Sequence, residues 1–200
     1  SGTTRGVVVR YNENGTVDTT FGTNGVTSTT NSGIATVRGI AIQPDGKVVI
    51  VGDRSIDGFS IIQRLNANGT FDSTFGTSGS YTFITFGNGR EDVLNAVALQ
   101  PDGGIVAAGS SASGTTDTAV VRLTSGGQLD TSFSGDGLFF QSVGSSDAAN
   151  SLVIQPDGKI VTGGVGTASL AMLRFNTNGT LDTSFDTDGI VITTIPSLTS

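Results

Sequence analysis

The stretch that decides the fold is RLNANGTFDSTFG, residues 64–76. Its Arg64 is followed by Gly69, Asp72, Phe75 and, just beyond the stretch, Gly79. The same spacing returns at Arg10, Gly15, Asp18, Phe21 and Gly25, then at Arg122, Gly127, Asp130, Phe133 and Gly137, and then at Arg174, Gly179, Asp182, Phe185 and Gly189. The copies start 54, 58 and 52 residues apart. A period of that length makes each copy one supersecondary unit of a repeat array.

A second block alternates with the first: Gln43-Pro44-Asp45-Gly46, Gln100-Pro101-Asp102-Gly103 and Gln155-Pro156-Asp157-Gly158. Pro presets φ and Gly accepts a positive φ, so Pro-Asp-Gly between apolar runs reads as a turn. The runs around it are short and β-branched, as in Ile40-Ala41-Ile42 before Val48-Val49-Ile50-Val51. They predict a hairpin, bounded by Gly52, Gly109 and Gly164. A third strand carries the Arg of the first block, and a fourth follows its last Gly. No stretch shows a helical period.

The expected fold is therefore all-β: a β-propeller-type array of four-stranded antiparallel units. It comprises about 3.5 blades, or 14 strands, in a single repeat domain over 1–200. A half unit covers 1–30, full units cover about 31–86, 87–142 and 143–194, and 195–200 is a tail. The chain starts at Ser1 without an initiator Met or a signal peptide, so it reads as a processed product or an excised segment.

Composition excludes several functions. The net charge of -7, with ten basic residues, argues against a nucleic-acid partner. Cys and His are both absent, which removes disulfides, thiolate or imidazole metal sites and a conventional triad. No run of about 18 apolar residues predicts membrane insertion. No cofactor is expected.

The sequences QPDGKVVIVG and RLNANGTFDSTFG resemble the delta-60 repeat, and the resemblance covers nearly the whole chain. It implies a β-propeller of a large exported bacterial protein, extracellular or on the cell surface, and no established chemistry. The third copy departs at Gly104, where the others have Lys47 and Lys159, and at Ser125-Gly126 in place of Asn-x-Asn. These read as turn positions of little consequence.

The recurring Arg and Asp are eight apart, and Arg offers forked donors suited to a carboxylate. They read as a structural pair closing the connection from third to fourth strand within each unit, and the four Phe residues read as plugs between blades. Asp186 and Asp188, two apart before Gly189, form the most calcium-like turn, but a shell of about six to eight oxygens is not visible in the sequence and an ordinary Asx turn is the favoured reading, so no metal is expected. Function is expected in the connections that vary in length. Asp53, Arg54 and Asp57 follow a second strand, while Asn88, Arg90, Glu91 and Asp92 lie between a fourth and a first. A catalytic dyad would have to come from the non-repeating Asp53, Asp57, Glu91 and Asp92.

The leading expectation is a non-catalytic adhesion or recognition module whose cell-surface ligand, a glycan among the candidates, is met by these loops. A structural spacer or oligomerising head of a surface fibre is the alternative, and a polysaccharide-binding or -cleaving propeller comes third. The absence of Trp and the two Tyr residues weaken a sugar-stacking site. By strand number, two chains make seven blades, so a homodimer is one expected partner arrangement. A trimeric fibre head and neighbouring repeats of a longer chain are the others.

Overall fold

The computed structural model describes residues 6–29, 34–54, 59–76, 81–86, 92–112, 116–144, 147–166 and 169–195. Among these residues there are fourteen strands and no α-helix. β1 (Val7–Val9) and β2 (Val26–Ser28) form a two-stranded sheet. Three four-stranded sheets follow, each ordered as in the chain. They are β3 (Ile34–Ile42), β4 (Val48–Arg54), β5 (Ser60–Leu65) and β6 (Tyr81–Ile84); then β7 (Val93–Leu99), β8 (Ile105–Ser111), β9 (Asp117–Leu123) and β10 (Leu138–Gln141); then β11 (Ala148–Ile154), β12 (Ile160–Gly166), β13 (Ser169–Phe175) and β14 (Ile190–Thr194). All pairings are antiparallel.

The Gln-Pro-Asp-Gly blocks turn β3 into β4, β7 into β8 and β11 into β12. In the first, Gln43 N–H donates to the Lys47 carbonyl at 2.8 Å and Gly46 sits at a φ of 80°. The first strands are longer than an apolar run such as Ile40-Ala41-Ile42 suggests, beginning at Ile34, Val93 and Ala148. Their leading halves carry Thr36, Arg38, Asn95, Asn150 and Ser151, which hide the apolar pattern, and bulges interrupt the register there.

Gly52, Gly109 and Gly164, expected to bound the second strands, lie inside them. A Cβ at these positions would come within 1.9 Å of the Thr36 carbonyl oxygen, 1.7 Å of Val93's and 1.8 Å of Ala148's. These glycines let two strands close over a bulge. The variable connections are correspondingly shorter than the sequence reading made them.

Successive side chains point to opposite sides of a sheet, and the sides that face a neighbouring sheet build the core. Val8 and Phe21 pack on Val48, Ile50, Ile61 and Leu65. Val49, Val51 and Ile62 pack on Ile105, Ala107, Val121 and Leu123, and Val106, Ala108 and Val120 on Ile160, Leu173 and Phe175. β7 packs against both β3 and β11. Asn95 Nδ2 also donates to the Ala149 carbonyl at 3.0 Å. The first strands are thus the inner row of the array.

Candidate functional site

The repeated block builds one clasp four times. Its Arg lies near the end of the third strand and its Asp just beyond the following turn. The Asp N–H donates to the Arg carbonyl at 2.9, 3.1, 3.0 and 2.8 Å in the four copies. Arg Nε in turn donates to Asp Oδ2: Arg10–Asp18 at 2.8 Å, Arg64–Asp72 at 2.8 Å, Arg122–Asp130 at 2.8 Å and Arg174–Asp182 at 2.6 Å. The guanidinium carbon stands 4.5–5.0 Å from the ring centre of the block's own Phe in every copy, within cation–π reach.

Asp Oδ1 accepts from the N–H and the hydroxyl of the residue two further on: Thr20, Thr74, Ser132 and Ser184. The sequence reading missed this recurring hydroxyl, although Asp-x-Ser/Thr-Phe stands in all four copies.

The clasp also reaches across units. Arg10 Nη1 donates to the Ala67 carbonyl, Arg64 Nη1 to that of Ser125 at 2.6 Å, and Arg122 Nη1 to that of Thr177. The N–H after each Phe takes the next carbonyl of the same turn: Gly22 to Asn68 at 2.7 Å, Gly76 to Gly126 at 2.9 Å, Ser134 to Asn178 at 2.8 Å. At two junctions a hydroxyl takes the third carbonyl, Thr27 to Gly69 at 2.7 Å and Thr82 to Gly127 at 2.5 Å. Each turn thus seats two or three successive carbonyls on the unit before it, and Phe21, Phe75 and Phe133 are fully buried beneath it.

Two lysines join the clasp. Lys47 Nζ lies 3.0 Å from Asp72 Oδ2, and Lys159 Nζ 2.8 Å from Asp182 Oδ2. Gly104 therefore leaves Asp130 with Arg122 but without the second cation that Asp72 and Asp182 have, and is more than a turn variant. Burial pushes the Asp72 carboxyl up, but bonds from Thr74, Lys47 and Arg64 outweigh it and hold it well below the usual carboxylate range. Lys159 and Ser184, against weaker burial and with Arg174, do the same for Asp182. Asp130 is lowered through Ser132 and Arg122 in spite of burial, and Asp18 chiefly through Thr20.

A family model described as a domain of unknown function (DUF5122) beta-propeller matches residues 1–21, 43–75, 100–133 and 155–185. The chain belongs to this family. Three of the matched segments open on the Gln of the Gln-Pro-Asp-Gly turn, and all four close on the Phe of the clasp. The DUF5122 pattern thus coincides with the hairpin and the clasp that join the units. Comparison with curated proteins finds no match.

The residues outside the DUF5122 clasp have varied placements. Asp53 is bound to Arg38 Nε at 2.5 Å across the β3–β4 pair. Arg38 belongs to β3. Arg54 ends β4, with its N–H on the Phe59 carbonyl at 3.0 Å. Asp92 is 1% exposed, so it is no surface contact. Its Oδ2 accepts the Phe86 N–H at 2.8 Å.

Nor is Asp92 unrepeated. Asp147, equally eight residues ahead of its Gln-Pro-Asp-Gly block, is buried and accepts the Val143 N–H at 2.7 Å. The two acids tie down the connection from fourth to first strand. Asp57, Asn88, Arg90 and Glu91 lie outside the described residues.

Asp186 and Asp188 are exposed, and Asp188 Oδ1 accepts the Ile190 N–H at 2.8 Å as an Asx turn. Asp136 does the same for Leu138 at 2.9 Å. Among the described residues no group of three or more acidic side chains gathers as metal ligands.

One feature varies within the clasp itself. The position of Thr27 and Thr82 is taken in the third unit by Phe139, paired with Val120 as Thr27 is with Val8. Phe139 stands edge-on to Phe175, with ring centres 4.7 Å apart. It helps form a groove of about 580 Å³ between the third and fourth units, with Leu181 beside it and Ser132, Asn178 and Thr180 around it.

Proposed function

We propose that the chain is a non-catalytic recognition module of an exported or surface bacterial protein. Its ligand contacts would lie at the grooves and strand-end loops along the unit junctions. The observation carrying this reading is the replacement of Thr27 and Thr82 by Phe139 at the third junction. A polar tie between units gives way there to an apolar floor rimmed by hydroxyl and amide groups, a combination suited to a sugar face or a short peptide. The described charged groups of the clasp are engaged in ion pairs and hydrogen bonds within and between units, which favours binding over proton transfer as the chemistry.

The test is a glycan and peptide array probed with the wild-type chain and with Phe139→Thr. A specific signal that fades in the variant supports the groove. Arrays blank for both would set recognition aside. A structural or oligomerising role is the second reading, favoured by the apolar sheet faces at the two ends of the array.

A further inference from the structure

The junction between units is made three times inside the chain, and its two halves are each present once more without a counterpart. Arg174 keeps its bonds to Asp182 and Ser184 but, among the described residues, has no carbonyl on Nη1. Asp186 holds the backbone position of Gly22, Gly76 and Ser134, with a φ of 48° beside their 56°, 75° and 54°. Its N–H likewise meets no turn carbonyl among the described residues. Phe185 is half-buried where the other three rings are fully buried. This is a socket.

The matching plug is the turn Asn12-Glu13-Asn14-Gly15. It is folded like its equivalents, with Gly15 N–H on the Asn12 carbonyl at 2.9 Å and a φ of 81° at Gly15. Gly69, Gly127 and Gly179 are buried against the preceding unit, but Gly15 is exposed and a Cβ on it would meet nothing within 4 Å. Glu13 stands where Ala67, Ser125 and Thr177 offer their carbonyls to an arginine, so the plug also brings a negative charge toward Arg174.

The surrounding faces match as well. Met172 is 43% exposed where its equivalents Ile62 and Val120 are fully buried against the next unit, and Leu170, 48% exposed, lies on the same face. Val7 and Tyr11 are 54% and 61% exposed where Ile61 and Leu65 are fully buried against the previous one.

We propose that a second copy of this chain seats its Asn12–Gly15 turn in the Arg174–Phe185–Asp186 socket, repeating the internal junction between molecules. The contact is heterologous: one end of a molecule meets the other end of the next. Such contacts make a ring where the rotation closes and a filament where it does not. Each copy contributes its outer pair, β1 and β2, at the junction. Two copies therefore place two half units among six four-stranded sheets rather than completing a seventh.

The test is light scattering and sedimentation on the full 200-residue chain, its Met172→Glu variant and its Tyr11→Glu variant. Both substitutions fall on exposed side chains, and circular dichroism checks that the fold is kept. The wild type is expected to exceed the 20.2 kDa of one chain, with a mass that grows with concentration. Each variant alone is expected to run as the monomer. An equimolar mixture of the two retains one intact plug and one intact socket, so it is expected to give a one-to-one dimer and nothing larger. A wild type that stays monomeric, association that neither variant disturbs, or a mixture that does not pair would each overturn the proposal.

Discussion

Arg64 binds Asp72 through Nε at 2.8 Å and, with the same guanidinium, holds the Ser125 carbonyl of the following unit at 2.6 Å. One side chain thus closes its own connection and fastens the next unit, and both side chains are almost fully buried. Removing Asp72 leaves that guanidinium, with the Lys47 ammonium beside it, without its counter-ion. Asp72→Ala is expected to cost about 3 kcal/mol, at the lower end for breaking a buried pair. Asp18→Ala, whose partner Arg10 has a side chain 36% exposed, is expected to cost distinctly less. Urea titration of both variants checks the order.

The four clasp carboxyls give the protein an acid limit. All are held below their ordinary 3.8 in the folded chain, so the unfolded state binds protons first as pH falls. Their contribution is complete above the unfolded value and is lost as pH drops through the lowered folded values. With no His in the sequence, no side chain has an ordinary pKa near neutrality. Thermal midpoints are expected to stay level between about pH 5 and 8 and to fall steeply below about pH 4. A drop centred near pH 6 would contradict the assignment.

Gly104 offers a gain. Its equivalents Lys47 and Lys159 reach the clasp carboxylate of their own unit, and Asp130 has no such lysine. A Cβ on Gly104 would meet the Gln100 Oε1 at 2.8 Å, the far end of a flexible side chain that can turn aside. Gly104→Lys adds a partly exposed ion pair and restricts the unfolded chain. Together these are expected to stabilise by about 1 kcal/mol, or roughly 3 °C in Tm for a chain of this size. Calorimetry against Gly104→Ala separates the ion pair from the backbone effect.

The fold was legible because its units repeat. Four copies of Arg, Gly, Asp and Phe in fixed spacing marked the clasp, and three Gln-Pro-Asp-Gly turns marked the hairpins. What the sequence hid was whatever acts between units or against the local pattern. The carbonyl that Arg64 takes from Ser125 lies 61 residues away, and a backbone oxygen has no sequence signature. Lys47 looked like turn punctuation because its partner Asp72 is 25 residues on. Gly52 looked like a strand end because a glycine needed for close approach reads like one needed for a turn. Asp92 looked like a surface loop acid until Asp147 appeared in the same buried place. The groove at Phe139 was not foreseen, since one aromatic among strand residues gives no sign of the Thr it replaces.

The seated turns can be weighed by one pair of glycines. Gly127 and Gly15 have nearly the same backbone, with φ of 87° and 81°. An alanine at either pays the same left-handed strain of about 1–2 kcal/mol. At Gly127 the added Cβ would also meet the Gly76 backbone nitrogen and the Phe75 ring at 2.7 Å, whereas at Gly15 it meets nothing within 4 Å. The Gly76 backbone is held by its own bond to Gly126 at 2.9 Å, and Phe75 is fully buried, so neither yields cheaply. Gly127→Ala is expected to be more destabilising than Gly15→Ala by about 1–3 kcal/mol, the usual range for overpacking. Both belong in the Met172→Glu background, which keeps the Gly15 turn undocked, and chemical denaturation reads the difference. Equal losses would mean that the turn merely lies near the preceding unit and is not seated on it.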